Sequence, residues 1–445
     1  MTLHHENRGV RTALALAALV VAGGACSRVV EVVHSEDCSA RPNDPDCAPT
    51  PWPTTGHSAN SDPWIVSHHD SITEMSPSVL VLNFLNGVSS DAARATAQRQ
   101  VYGIAEGSRY HGYSDPQAPI FLNYQINRVI DLTDRTVPAG WTNPSSTQLP
   151  VTPGGAFDPL ALFSARYSAA YGFLDPTTPS RYLSLCELFE QGLINEVWIE
   201  DGETGIRRVP LNAERKQVYD TSNHARPNMF DTFDACGSGG GCLQDVTCRV
   251  TVRMAHLDPM RGPGCDLEVR GWGIDDMFDA LPAFAPTAAT FLNRDFESRY
   301  GVQFDGWENL CDSTGATCVS YPSPTTATGT YANGTAWTIN TFASSCGSPD
   351  FPPNARKRWD WGSAPTPNLT PVQSSCEHFG LGDGINGADA LETYTSDKVA
   401  AVDKTYPDCG GGWQIYWRQN IPGLNNAAKT AYGAPMRNWW PLLFY

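Results

Sequence analysis

Three strand-like stretches, the first a continuous apolar run, constrain this chain most. They are "SVLVLNFLN" (residues 78–86), "LINEVWIED" (193–201) and "CRVTVRMAHL" (248–257). A strand that is apolar on both sides must be covered on both sides, which is the situation of a strand inside a parallel sheet. "IFLNYQINRVIDL" (120–132) reads as a further strand region, second in chain order. Helical patterns lie between these runs. Ser89, Ser90 or Asp91 caps a helix running to about Glu106, with Ala92, Ala95, Val101 and Ile104 roughly periodic. "SRYLSLCELFEQG" (180–192) reads as a helix stopped by Gly192. An acidic amphipathic stretch follows the last strand. Strands alternating with helices predict an α/β fold, a three-layer arrangement around a mostly parallel sheet.

The ends of the chain differ from this body. Arg8 and Arg11 precede "TALALAALVVAGGA" (12–25), a positive segment, an apolar segment and small residues in the order of an export signal. Cys26 follows directly, as in a bacterial lipobox, although Gly23 stands where Leu is usual. The expectation is a signal peptide over 1–25 and lipid attachment at Cys26, with full secretion as the alternative. Acyl chains there make the membrane a partner. Residues 26–77 are rich in Pro, Ser, Asp, His and Thr and read as a flexible tether. An α/β domain is expected over 78–300. An irregular, disulfide-rich and Trp-rich elaboration packed on it is expected over 301–445.

Cysteine usage fits export. The chain has 13 Cys, and setting Cys26 aside leaves an even number. Cys38 with Cys47, Cys311 with Cys318, and the group Cys236, Cys242, Cys248 and Cys265 read as local pairs. No CxxC occurs, so a zinc ribbon or thioredoxin-type site is not expected. With 30 Lys+Arg against 47 Asp+Glu the net charge is −17, which excludes nucleic acid as a partner class.

Ligands of open α/β sheets bind beyond the carboxyl ends of the strands. The residues there are Asn83 and Asn86, Asp131 and Asp134, Glu200, Asp201 and Glu203, and His256 and Asp258. Carboxylates facing a His suit general acid–base chemistry or a divalent cation. Signatures of other chemistries are absent: there is no GxSxG, HExxH or P-loop. "GDGING" (382–387) spells GxGxxG without a preceding apolar strand and reads as a turn near Asp389.

The motifs "LINEVWIEDG", "RGPGCDLEVRGWGIDDM", "RWDWGS", "SSCEHFG", "WQIYWRQNIPG" and "MRNWWPLLF" lie in order over residues 193–444. Together they make the chain resemble a group of uncharacterised exported bacterial proteins without an established activity. In that group a His stands where this chain has Trp272, and a Glu where it has Asp275. The resemblance therefore implies His256 and Asp275 as the remaining acid–base candidates. Gly262, Pro263, Gly264 and Cys265 read as a rigid corner clamped by a disulfide. The catalytic expectation is Glu200, Asp201, His256, Asp258 and Asp275. Trp198, Trp359, Trp361, Trp413 and Trp417 are expected as platforms for an extracellular glycan or peptide, with core packing as the other reading. Two functions follow: a hydrolase of an extracellular polymer, glycan or peptidoglycan, and a non-catalytic binding or structural lipoprotein of the cell envelope.

Overall fold

A computed structural model describes residues 49–53, 64–65, 68–69, 71–133, 149–202, 209, 212–220, 225–234, 243–284, 318–331, 334–340, 346–361, 372–382, 389–400, 405–429, 433, 435–436 and 438–444. The signal peptide, Cys26 and the Cys38 and Cys47 expectation lie outside them. The 26–77 tether needs correction within its described part. Strands β1 (Thr50–Trp52) and β2 (Ile72–Met75) pair in parallel, and Trp52, Ile65, Ile72 and Met75 are fully buried in the main core. Sparse apolar residues in a polar segment can still dock when the body supplies the rest of the core.

The expected parallel strands are present. β3 (Ser78–Asn83), β4 (Gln125–Asp131) and later β7 (Glu196–Glu200) and β10 (Val252–Leu257) lie in the order β4-β3-β7-β10, all parallel. The sheet has six strands. β8 (Asn212–Tyr219) and β9 (Ala225–Asp234) extend it antiparallel beyond β10. Sequence patterning missed this pair because "NAERKQVY" carries a mixed polar surface in place of an apolar run.

The first helix matches expectation. α1 (Ser90–Gly107) starts where the Ser89 side chain accepts the Ala92 N–H. Below the other face lie α2 (Pro159–Phe163) and α3 (Ala165–Tyr171). A small hairpin, β5 (Leu174–Asp175) with β6 (Thr178–Tyr182), takes the first residues expected as helix at 180–192. The helix α4 (Leu185–Glu190) begins later because Ser184 and Glu187 form a reciprocal capping box. α5 (Pro263–Phe284) follows β10.

The C-terminal part adds a three-stranded antiparallel sheet, β11 (Val319–Ser323), β12 (Thr326–Thr330) and β13 (Ala336–Ile339). A two-stranded pair follows, β14 (Gln373–Ser374) with β15 (Glu392–Thr393), and then α6 (Ser396–Ala400), α7 (Gly411–Gln419) and α8 (Trp440–Phe444). Every residue of α7 is buried, and it packs against both α1 and α5.

Side-chain alternation sorts the sheet onto two cores. Val79, Val81, Trp198, Ala255 and Leu257 join Ala97, Val101 and Ile104 of α1, Leu267 and Ile274 of α5, and the tryptophans of α7 and α8. Leu80, Leu82, Val197, Ile199 and Met254 join Leu162, Tyr167, Tyr171, Leu185 and Leu188 on the other side. A Cβ at Gly103 would lie 2.8 Å from the Leu267 side chain, so this glycine sets how closely α1 and α5 approach.

The three disulfides between described residues span 30 to 144 residues. Cys186 pairs with Cys248, Cys265 with Cys409, and Cys346 with Cys376. The local grouping of Cys248 with Cys265 is thereby corrected. Short sequence spacing favours a pair only if the chain turns there, and these segments instead feed a strand and a helix.

Candidate functional site

Strand register builds the site. Asn83, Glu200 and Leu257 form one row across the carboxyl ends of β3, β7 and β10. Glu200 occupies the middle of that row, on the side facing α1 and α5, two residues beyond the buried Trp198. His256 pairs in register with Ile199, so it faces the other core, and Asp201 follows on that side. His256 Nε2 lies 3.6 Å from Asp201 Oδ2. Glu200, Asp201 and His256 are all buried, with exposures of 0, 2 and 3 %.

The loop after β10 completes the group. Asp258 is half-buried and its Oδ1 accepts the Met260 N–H at 3.0 Å. The Asp258 N–H in turn donates to Asp266 Oδ1 at 3.0 Å. Asp266 sits in the first turn of α5, where the helix dipole favours negative charge. The corner before it is rigid, as expected. Gly262 has φ +95°, and a Cβ on Gly264 would lie 2.0 Å from the Asp408 carbonyl oxygen. Asp408 Oδ2 accepts the N–H groups of Gly264 and Cys265 at 2.8 and 3.1 Å, and the Cys265–Cys409 bridge closes the corner.

Two carboxyl groups here are strongly perturbed. Burial pushes Glu200 up to about 7 against the opposing fields of Arg99 and His256. Burial likewise pushes Asp266 up to about 7, opposed by the Asp258 N–H and the His256 and Arg270 charges. Among the described residues, neither Glu200 oxygen has a hydrogen-bond partner, and neither does Asp266 Oδ2. An uncompensated buried carboxylate is costly, so the neutral acid is favoured up to neutral pH. Such groups can give or take a proton near pH 7.

Of the sequence candidates, Asp201 and His256 meet on one side of the sheet, Glu200 stands at the same strand end on the other side within the field of His256, and Asp258 starts the loop after β10. Asp266 was missed. The sequence shows it only as the first acid after the Gly-Pro-Gly-Cys corner, which does not say that it reaches the Asp258 N–H. Asp275 lies on α5 nine residues after Asp266, about 13 Å further along the axis, and its side chain is outside the described residues. Asn83 is structural: its Oδ1 accepts the Leu85 N–H and its Nδ2 donates to the Val88 carbonyl. Asp131 accepts from Thr133, and Asn86 is exposed. Asp134, Glu203 and residues 383–388 of "GDGING" lie outside the described residues.

The tryptophan platforms require correction. Trp198, Trp413 and Trp417 are at most 1 % exposed and belong to the main core. Their indoles are consumed inside it: Trp198 Nε1 donates to Glu196 and Trp413 Nε1 to the Ser348 carbonyl. Trp361 is half-buried and donates to the Pro349 carbonyl, while Trp359 is exposed. Alternation or helical spacing puts rings on one face but does not say whether that face meets water.

For a cation, the one group among the described residues with three ligand atoms within 4.8 Å of one another is Cys265, Asp408 and Cys409. The two sulfurs are joined to each other as a disulfide, which leaves the Asp408 carboxyl group, and its Oδ2 already accepts two backbone N–H groups. A cavity of about 340 Å³ lies beside α1, lined by Tyr102, Glu106, Arg109 and Tyr406, and includes none of the strand-end cluster. Among the described residues no helix is long and apolar enough to cross a membrane.

Comparison with protein-family models, with curated proteins and with solved structures returns no match for this chain.

Proposed function

We propose that this chain is an exported bacterial surface lipoprotein and that its strand-end cluster is the acid–base centre of a hydrolase acting on an extracellular polymer, glycan or peptidoglycan. The observation that carries the reading is Glu200: fully buried, without a partner for either carboxylate oxygen among the described residues, and pushed up to about 7 by burial at a strand end that also feels His256. Structural carboxylates in a core are paired, and perturbed, unpaired ones concentrate at functional sites. Glu200 holds the proton given to the leaving oxygen. Asp266, with one oxygen fixed by the Asp258 N–H and the other free, accepts the proton of the attacking water. His256, held beside Asp201, tempers the negative charge of both. Two carboxyl groups suffice for glycoside hydrolysis.

The same reading keeps the Cys26 anchor and the three-layer body carrying a Trp-rich C-terminal elaboration. The second reading, a non-catalytic binding or structural envelope lipoprotein, is favoured by the depth of the cluster. Glu200, Asp201, His256 and Asp266 are each at most 3 % exposed. Incubation with peptidoglycan and a panel of glycans, followed by reducing-end analysis, separates the two. The hydrolase reading expects release with an optimum near pH 7, lowered about 10²- to 10⁴-fold in Glu200→Gln. A folded protein that releases nothing from any of them supports the second.

A further inference from the structure

Among the disulfides between described residues, Cys265–Cys409 differs from the other two. Cys346 and Cys376 are at most 1 % exposed. Cys186 is half-buried within the regular helix α4, and its partner Cys248 is buried. Cys265 is buried too, but Cys409 is only half-buried. The Cys409 sulfur receives Arg261 Nη2 at 3.5 Å, in a contact open to solvent. The same nitrogen donates to the buried Glu268 carboxylate at 3.0 Å, so Arg261 is a fixed neighbour of the sulfur and not a free cation. Of the six cysteines in these bridges only Cys409 has a positive φ, +44°. That left-handed backbone disfavours a residue with a Cβ and persists only where surrounding contacts hold it. One sulfur is thus reachable and on a strained backbone, and the other is sealed. Exposed or strained disulfides are the labile ones.

The bridge joins the starts of two helices. Cys265 is the third residue of α5 and directly precedes Asp266, whose Oδ1 accepts the Asp258 N–H at 3.0 Å. Cys409 lies two residues before α7, which packs on α1 and α5. Asp408 makes a second tie at the same place, its Oδ2 accepting the N–H groups of Gly264 and Cys265. This non-covalent tie keeps the two segments adjacent when the covalent one opens, so the bond can close again.

We infer that Cys265–Cys409 is an exchangeable disulfide, opened by a dithiol reductant, and that its state sets how firmly the first turn of α5 is held. A thiolate of the dithiol attacks Cys409 Sγ. A mixed disulfide forms there, the Cys265–Cys409 bond breaks, and its electron pair leaves on Cys265 Sγ, which takes a proton from water. The second thiol of the dithiol then attacks its own sulfur in the mixed disulfide and releases Cys409. The dithiol departs as a disulfide, having given two electrons to the bridge. The inference goes beyond the hydrolase reading and does not depend on it, since no substrate enters the exchange.

The test is graded reduction of the oxidised full-length chain with dithiothreitol, followed by alkylation and peptide mass spectrometry. Cys265 and Cys409 should become alkylated at least about tenfold faster than the cysteines of the other two bridges. A short pulse of glutathione should leave its adduct on Cys409. In the selectively reduced chain, hydrogen exchange over residues 258–266 and 408–411 should rise about tenfold while β7 stays protected. The double variant Cys265→Ser with Cys409→Ser should exchange like the reduced chain. Should that variant fail to fold, reduction of the unaltered chain carries the test. Equal reduction of all three bridges, a glutathione adduct on Cys265, or corner amides indifferent to selective reduction overturns the inference. So does loss of protection in β7 on selective reduction, which would make the bridge a structural staple of the whole fold. Glu200→Gln should leave the exchange rates unchanged, so loss of the hydrolase reading and loss of this one are read separately.

Discussion

Glu196 and Glu200 stand on the same face of β7, about 13 Å apart, at its two ends. Both are fully buried. Glu196 accepts from Tyr124 at 2.6 Å, from Trp198 Nε1 at 2.7 Å, from Arg253 at 3.3 Å and from Arg270 at 3.4 Å. Arg253 extends this network to Glu214, which Lys216 approaches at 3.2 Å, and Arg270 stacks on the Trp198 ring at 4.6 Å. Glu200 has none of this. The two residues share a strand, a side and a burial, so burial alone says nothing about role. What differs is the company. Donors from β10 and α5 make one end of the sheet a structural knot. Among the described residues no such donor reaches the Glu200 carboxyl group.

This contrast predicts opposite signs for the same substitution at the two ends. Glu196→Gln should cost about 3–5 kcal/mol, because it strands buried guanidinium groups. Urea unfolding at pH 8 measures it, and a loss below 1 kcal/mol would mean the network is not a structural centre. Glu200→Gln should instead stabilise by about 3 kcal/mol at pH 8, an order-of-magnitude figure from a shift between 4.5 and about 7. The folded chain holds this proton where the unfolded chain has already lost it. Stability therefore falls as pH rises from about 4.5 to 7, and the full cost stands above that window. Glu200→Gln should remove this decline and have little effect at pH 4. A parallel pH profile in the variant would show that Glu200 is compensated. The smallest expected effect is Tyr124→Phe, about 2 kcal/mol, from one hydrogen bond to a charged acceptor. Comparing Tyr124→Phe alone and on the Glu196→Gln background in a double-mutant cycle sharpens how much of the knot acts as a unit.

Much of the scaffold was legible in the sequence. The apolar runs became β3, β7 and β10, and the capped periodic segment after Ser89 became α1. These signals are local: a strand needs only its own residues to be apolar on both sides. The antiparallel strands β8 and β9 were not legible, since β8 buries Glu214, Arg215 and Lys216 and depends on partners elsewhere in the chain to do so. The site was half legible. Glu200, Asp201, His256 and Asp258 follow from reading strand ends. Asp266 required knowing that α5 turns back over the sheet, where its first turn reaches the Asp258 N–H. The tryptophans were legible as aromatic groups on common faces and illegible as core or surface, because exposure depends on what packs above them.

The sequence by itself determined the alternation of buried strands and helices, the stiff corner at residues 262–265, and the net negative charge. Those properties arise from side-chain polarity, backbone freedom and net charge, all carried by the residues themselves. Only the tertiary structure decided that Cys265 meets Cys409, that Glu196 is surrounded by donors while Glu200 is not, and that Trp359 faces water while Trp413 and Trp417 do not. Each of these depends on groups brought together across tens to hundreds of residues, and no local pattern encodes which of two similar side chains receives a partner.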